Sequence, residues 1–362
     1  MNIKTDIHYA LAAKFYTSRD IFEKERETLL SKTWLFTCHE SEIPNIGDYY
    51  TLELNGESLF VIRGQDRQIR TFFNVCQHRA HQLVQGKGNC RSIVCPYHSW
   101  TYELEGRLRS GPNLGSIRHL DRTRICLQKV KTENFHGFIF VNFDANASEM
   151  EEWFPGIRQS LAKYVPDLNL LKPMMWVEIP EKCNWKTSVE NHSECYHCQI
   201  NHKAFSEGVI DPSTYDIQPD GYCLRHTTRM NSFDAMTYSV DLSVPHATDY
   251  ATFFLWPMFA FQVYPGNLLN TYHWRSHDVD NCTVWRGWFS IDGEHDEVIS
   301  NLAVQDRETT VAEDITLVES VGRGLKSRGY KPGPLVVDPA CGVNSEHSIM
   351  HIQRWIREGI DL

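Results

Sequence analysis

The sequence has no surplus of positive charge: 36 lysines and arginines stand against 46 aspartates and glutamates, a net charge of −10. With no Lys/Arg-rich block either, a surface built for nucleic-acid phosphates is excluded. Long apolar runs are missing as well. The longest aromatic-apolar stretch, "FFLWPMFAF" from Phe253 to Phe261, falls far short of the roughly 20 residues that span a bilayer, so no membrane span is expected. The first twenty residues mix charges and lack the apolar core of a signal peptide, which makes the cytoplasm the expected compartment. No internal repeat or low-complexity linker interrupts the chain.

What remains is a globular composition, 41% hydrophobic and 12% aromatic over 362 residues, enough for one large domain or two ordinary ones. The 11 cysteines are an odd number with no export signal. In a reducing compartment, clustered cysteines bind metal more readily than they pair as disulfides.

Residues 8–33 read as helical, with Leu11, Phe15, Ile21, Phe22, Leu29 and Leu30 spaced among charges. From Gly47 to Val141 the pattern changes to short strands, with turns at Asn55-Gly56 and Gly64-Gln65. "HGFIFVNFD" (His136 to Asp144) closes that region, and "EMEEWFPGIRQSLAKYV" follows as a bridging helix. Beyond it come a helix over 185–205, a strand-rich stretch from 221 to 292, and two C-terminal helices. A small β domain beside a larger α+β domain is the organisation these patterns predict.

Two constellations carry chemistry. The β region holds Cys76-Gln-His78 and, sixteen residues after His78, Cys95-Pro-Tyr-His98. Two thiolates can hold one iron of a [2Fe–2S] cluster while two imidazoles hold the other, an arrangement that raises the reduction potential. A Cys₂His₂ zinc site is the competing reading. It fits poorly, because zinc fingers open on two cysteines and no finger helix follows. Cys90, between the two loops, reads as a packed thiol.

The second constellation is "NWKTSVENHSECYHCQINHKAF", Asn184 to Phe205. On an ideal helix His197 and His202 would point about 140° apart, unlike the i,i+4 pair of zinc proteases. They can share a metal only where the helix ends or bulges between them. Glu194 and Asn191 fall on the His197 face. Two histidines and a carboxylate on one side of an iron leave positions open for oxygen. Cys195 and Cys198 invite a redox or zinc reading, but no βαβ pattern accompanies them, and packing within the helix is the expectation. The third ligand must come from farther on, where "QDRETTVAEDITLVESVGRGL" offers Asp306, Glu308, Glu313, Asp314 and Glu319.

Both constellations resemble those of the Rieske non-haem iron oxygenases. "CQHRAH…CPYHSWTYELEGRL" is similar to their cluster domain, and His81 and Tyr97 stand where respiratory-type Rieske proteins carry two further cysteines. "ENHSECYHCQINH" is similar to their iron-binding segment. The resemblance implies an α+β fold: a small all-β Rieske domain (38–150), a helix-grip catalytic domain with a curved antiparallel sheet around a long helix (151–362), and an N-terminal segment (1–37) packed on the catalytic domain. It implies Cys76, His78, Cys95 and His98 as cluster ligands, and His197, His202 and Asp314 as ligands of a mononuclear Fe(II). It makes Glu194, with Asn191 beside it, the electron bridge to a neighbouring subunit's Rieske histidine, hence a homotrimer. O₂ is the co-substrate, and NAD(P)H acts indirectly through a flavin/[2Fe–2S] reductase.

Most relatives carry aspartate at the bridge. Glu194, "ECYHC", "VESVGRGL" and "SEHSIMHIQRW" look most like the carnitine, glycine betaine and choline monooxygenases, so a cationic quaternary-ammonium substrate is implied. An aromatic-ring hydroxylating mono- or dioxygenase is the alternative. Aromatic faces attract such cations, which makes Trp256, Phe261, Tyr264 and Trp274 substrate candidates, with His273 a candidate for a substrate carboxylate. His347 and His351, four apart, could mimic a metal site. The stripe of Ile349, Ile352, Trp355 and Ile356 instead predicts a docking helix.

Overall fold

The structure is a computed structural model and describes residues 7–360. Its chain packs as two compact units. One is Ser31–Ala147. The other joins the residues up to Leu30 to those from Ser148 on.

In the first unit, strands β1 (Leu35–His39), β2 (Asp48–Leu54), β3 (Glu57–Arg63), β4 (Ile69–Phe73), β5 (Lys87–Asn89), β9 (Lys129–Phe135) and β10 (Phe138–Asn142) form one sheet. Its order is β1-β10-β9-β4-β3-β2-β5. A second sheet consists of β6 (Ile93–Val94), β7 (Thr101–Tyr102) and β8 (Leu108–Ser110). Asn55 and Gly56 both take positive φ, 51° and 76°, as the tight β2–β3 hairpin requires. Phe60, Phe72, Ile93, Tyr102 and Leu104 fill the core beneath the two cysteine loops.

The second unit is built on a seven-stranded antiparallel sheet. Strands β12 (Asp216–Asp220), β13 (Cys223–Arg229), β14 (Asp249–Leu255), β15 (Phe259–Tyr264), β16 (Leu268–Ser276) and β17 (Cys282–Ile291) run as a meander, and β11 (Leu171–Glu181) closes the far edge against β17. Side chains alternate between faces. One face sends Ile179, Leu224, Phe254, Ala260, Trp274 and Val284 into a core shared with Trp185, Val189, Val318, Ile352 and Trp355. Burying each large aromatic there removes about 150–250 Å² from water, worth roughly 4–6 kcal/mol before entropy is counted.

The helix Trp185–His192 leaves β11, its N-terminus capped by Asn184, whose side chain accepts from Lys186 N. Helix Glu297–Asp306 continues through a π-turn, Arg307–Val311, into helix Ala312–Gly324. A Cβ at Gly322 would lie 3.2 Å from Lys182 O and 3.3 Å from Cys183 Cβ. Glycine there lets this helix lie directly on the chain where β11 hands over to helix Trp185–His192. Helix His347–Gly359 buries the predicted stripe, Ile349, Ile352, Trp355 and Ile356.

The N-terminal segment belongs to this second unit, the division falling at Leu30. Glu25 and Lys186 form an ion pair at 2.7 Å with both side chains fully buried, and Trp185 Nε1 donates to the same carboxylate. Tyr16 donates its hydroxyl to Glu190 at 2.8 Å. The base of the Trp185–His192 helix thus rests on the first thirty residues.

Candidate metal centres and the cavity beside them

The two cysteine loops share one backbone design. Cys76 N donates to His81 O and Ala80 N to Cys76 O; Cys95 N donates to Trp100 O and Ser99 N to Cys95 O. Ala80 and Ser99, each four residues after its cysteine, take φ of 56° and 55°. Each loop therefore closes in five residues around its thiol. Cys76 and Cys95 are buried at 2% exposure, while His78 is exposed and His98 half-buried. The His78 and His98 rings lie 4.7 Å apart, and His78 stacks on Trp100 at 4.5 Å. Tyr102 OH sits 3.2 Å from Cys76 Sγ. Buried thiols with two imidazoles toward solvent suit a cluster whose iron–sulfur core is sheltered and whose outer iron is accessible. His98 Nδ1 is buried with no hydrogen-bond partner, an atom an iron would satisfy. Burial, then the charges of His78, Arg79 and His81, lowers the His98 pKa, favouring the neutral imidazole that ligates metal.

In the second unit the expected single helix over 185–205 is three pieces: Trp185–His192, Cys198–Asn201 and Lys203–Ser206. His197 and His202 sit at the two ends of the middle piece, His202 at φ −110°, ψ 67°. That break turns both rings to one side. His197 Nε2 lies 3.0 Å from His202 Nε2, and Asp314 Oδ1 lies 3.0 Å from His202 Nε2 and 3.5 Å from His197 Nε2. Donor atoms about 2.1 Å from one ion, at bond angles near 90°, stand about 3 Å apart, so these three fit one face of an octahedral site. Asp314 arrives in the first turn after the π-turn, a local widening common at functional sites.

The outer nitrogens are held by carboxylates. Glu194 Oε1 is 2.5 Å from His197 Nδ1, and Glu313 Oε2 is 2.8 Å from His202 Nδ1. This carboxylate–histidine pattern fixes the ring and directs Nε2 at a metal. Asn191 Nδ2 lies 3.2 Å from His197 Nε2. For Asp314 burial opposes ionisation, yet the hydrogen bonds of His197 and His202 hold it well below the usual carboxylate range. For His197 burial works against the charged form, but Asp314 and Glu194 prevail and raise its pKa to about 10. The cluster attracts positive charge to the point between its three donor atoms, where an Fe(II) would sit.

Two cavities flank this triad. A small one of about 50 Å³ is walled by Phe205, Tyr215, Tyr250, Tyr264 and Tyr272, with Thr252, Gln262 and His192 among its polar groups. A larger one, about 360 Å³, is lined by Tyr16, Glu190, Glu194 and Glu346 with Leu317 and Val321. Glu194 and His197 line both.

Of the substrate candidates read from sequence, Tyr264 alone lines the small cavity. Phe261 pairs with Phe253 and Thr271, and His273 with Phe259 and Trp285, all on the sheet face turned away from helix Trp185–His192. Trp256 and Trp274 are on the helix side but in its apolar core, Trp256 against Trp185 and Trp355, Trp274 donating Nε1 to Ser188 Oγ. Side-chain type marks a residue as able to bind such a substrate but not its face, and strand alternation sends half of such residues the wrong way. Tyr215, Tyr250 and Phe205 line the cavity without having been candidates, and Glu313, a candidate for the third ligand, instead accepts from His202 Nδ1. For Phe205 the signal available was its position three residues after His202; Tyr250 neighbours Tyr264 across β14–β15, which only the register reveals.

The expected free thiols of Cys195 and Cys198 are instead bonded to each other, with Cα atoms 4.9 Å apart. A second donor cluster, Glu181, Cys183 and Cys282, is fully buried. Both thiols lie near one carboxylate oxygen, at 3.8 and 3.6 Å. His347 is held by Ile217 O at 2.8 Å and Ser345, and this accounts for it without metal.

Residues 33–124 match the family model for the Rieske [2Fe-2S] domain, and 168–361 match that for the ring hydroxylating alpha subunit (catalytic domain). The chain belongs to this family of Rieske oxygenases, which carry a [2Fe–2S] cluster and a mononuclear iron. Among relatives, it is 32% identical to the carnitine monooxygenase oxygenase subunit of Escherichia coli (strain K12), covering 97% of this chain and 93% of that one. It is 34% identical over 208 residues to the glycine betaine monooxygenase oxygenase subunit of Pseudomonas aeruginosa (strain UCBPP-PA14), across 57% of this chain and 48% of the relative. The solved structure of the quaternary ammonium Rieske monooxygenase CntA with L-carnitine superposes with a TM-score of 0.86 at 31% identity, covering 99% and 97% of the two chains. Naphthalene 1,2-dioxygenase, at 20% identity and TM-score 0.80, shares the fold. Among the described residues no helix is long and apolar enough to cross a membrane.

Proposed function

We propose that this chain is the terminal oxygenase of a two-component system that hydroxylates a C–H bond beside the nitrogen of a quaternary ammonium compound. The observation that carries the reading is the similarity along nearly the whole chain to a carnitine monooxygenase oxygenase subunit, joined by the five aromatic rings that wall the cavity at the triad. Each ring face that meets an alkylammonium contributes roughly 0.5–2 kcal/mol by cation–π attraction. Similarity to carnitine and glycine betaine monooxygenases supports the same substrate class.

The two iron groups supply one-electron delivery and O₂ activation when bound. The residues of the chain orient and insulate them. Cys76, His78, Cys95 and His98 hold the cluster; His197, His202 and Asp314 hold the mononuclear iron; Glu313 and Glu194 fix the two imidazoles. In the balanced reaction, O₂, two electrons and two protons convert the C–H to C–OH and release water. The resulting carbinol-ammonium then breaks its C–N bond, giving an aldehyde and a tertiary amine. The electrons come from NAD(P)H through a separate flavin/[2Fe–2S] reductase. We further propose that the enzyme acts in the cytoplasm as a homotrimer, with Glu194 receiving electrons from a neighbouring subunit's cluster.

The test is aldehyde release from carnitine, glycine betaine and choline in the presence of reductase, NADH and O₂. Diol or phenol from aromatic acids, with no quaternary amine consumed, would replace this reading by ring hydroxylation. For the bridge, Glu194→Ala should retain cluster absorbance and iron content while turnover falls about 100-fold. Unaltered turnover would remove Glu194 from the electron path.

A further inference from the structure

Three carboxylate side chains are buried among the described residues: Glu25, Glu181 and Asp306. Glu25 is paired with Lys186, and Asp306 with Arg286. Among the described residues neither lysine nor arginine pairs with Glu181, and the groups facing it are the thiols of Cys183 and Cys282. A buried carboxylate is normally matched by a cation, and here two thiols stand where the cation is expected.

Strand geometry brings the three together. Glu181 ends β11 and stands opposite Cys282, the first residue of β17, in the antiparallel ladder. Cys183 follows two residues later, where the alternation of an extended chain returns a side chain to the same face. Their exposures are 6%, 1% and 1% for Glu181, Cys183 and Cys282. Helix Ala312–Gly324 closes over the group, since a Cβ at Gly322 would lie 3.3 Å from Cys183 Cβ.

The spacing is that of ligands around one ion. Both thiols face the same carboxylate atom, Glu181 Oε2, at 3.8 Å from Cys183 Sγ and 3.6 Å from Cys282 Sγ, and the two sulfurs are 4.0 Å apart. Thiols are weak donors, and hydrogen bonds this long do little for a buried acid. Three atoms so separated have a common centre about 2.2 Å from each, and zinc bonds run about 2.3 Å to sulfur and 2.0–2.2 Å to oxygen. An outer bond orients the carboxylate as well: Ser188 hydrogen-bonds to Glu181 and accepts from Trp274 Nε1 at 2.8 Å, the kind of support that ligating carboxylates receive.

We infer that Glu181, Cys183 and Cys282 hold a zinc ion, a structural site whose ligands are distinct from those of both iron centres. Zinc(II) displaces the two thiol protons to solvent and meets two thiolates and one carboxylate, with a water completing four-coordination. The net charge of the group is then −1, the same as for ionised Glu181 beside two neutral thiols. The ion does for Glu181 what Lys186 and Arg286 do for the other two acids. It ties the end of β11 to the start of β17, at the point where the chain enters helix Trp185–His192.

The experiment counts zinc and iron per chain by inductively coupled plasma mass spectrometry, in the holoenzyme dialysed against EDTA. Wild type should carry roughly one zinc per chain. Asp314→Ala should keep it, while Cys183→Ala and Cys282→Ala should lose it, with circular dichroism reporting whether each variant is folded. Zinc-edge X-ray absorption of the wild type needs no variant. Two sulfur neighbours at about 2.3 Å support the site; nitrogen and oxygen neighbours alone, as His197, His202 and Asp314 would give, overturn it. Wild-type enzyme without zinc overturns it outright, and so does zinc that leaves with Asp314→Ala but stays in both cysteine variants.

Discussion

The two candidate iron sites, with the ligands proposed for them, are built in opposite ways. At the cluster site every ligand lies on a loop, two residues per loop, and each loop is closed by the same pair of backbone hydrogen bonds. At the mononuclear site the ligands come from helix ends 112 residues apart, His202 and Asp314. The first is locally determined and needs only a strand on either side. The second exists only if the whole second unit is folded, because the π-turn, Gly322 and the N-terminal segment all help to place its residues. Carboxylates tell the same story. Both histidines of the second site are backed by glutamates, whereas the cluster thiol Cys76 is accompanied by a phenol.

Removing one ligand sharpens the contrast most. Asp314→Ala should abolish turnover and lower iron from roughly three atoms per chain to roughly two, with the cluster spectrum intact. Cluster loss in the same variant would mean the sites are not independently built. Next in size is the buried ion pair under the Trp185–His192 helix. Lys186→Met leaves Glu25 buried without its cation and should cost about 3–5 kcal/mol, read as a lower urea midpoint of the second unit. Adding Glu25→Leu should recover most of that loss, and a non-recovering double variant would show that the pair is not the support.

A pH effect of intermediate size is expected at Glu190. Burial, partly offset by the Tyr16 and Gln353 hydrogen bonds, raises its pKa from 4.5 to about 7. A raised acid stabilises the fold while protonated, so its contribution is present below about pH 4.5 and lost as pH rises through 7. At about 1.4 kcal/mol per unit, the loss is capped at about 3.5 kcal/mol, and water in the adjoining cavity reduces it. Glu190→Gln should flatten the stability curve between these pH values, and an unchanged slope would locate it elsewhere. Smallest is Tyr102→Phe at the cluster. Losing one hydrogen bond to a ligand sulfur, worth about 0.5–1.5 kcal/mol, should lower the potential by roughly 20–60 mV without affecting the mononuclear iron. An unmoved potential in redox titration would exclude Tyr102 as a tuning group.

What could be read from sequence follows the same division between local and distant. Cys76, His78, Cys95 and His98 are legible because their spacing is the site. His197 and His202 were legible as a pair that a straight helix could not serve, and the break at His202 resolves that conflict. Asp314 stood among five acids of one segment, and residue spacing alone could not rank them; family resemblance did. The cavity wall was the least legible part. An aromatic on a strand declares its face only once the register is known, and Trp256, Phe261, His273 and Trp274 all miss the cavity while Tyr250 and Tyr215 reach it. The same limit hid which side chain of the N-terminal segment makes the support: nothing in "IFEKERETLL" says that Glu23 is half-buried and Glu25 fully buried against Lys186.

Asn191, Glu194 and His197 form a wall common to the small aromatic cavity and the larger acidic one. A group entering the larger chamber meets this wall from the side of Glu190 and Glu346, and not from the aromatic rings. The two faces of this single wall are thus separate addresses for inhibitors, one recognised by rings and the other by carboxylates.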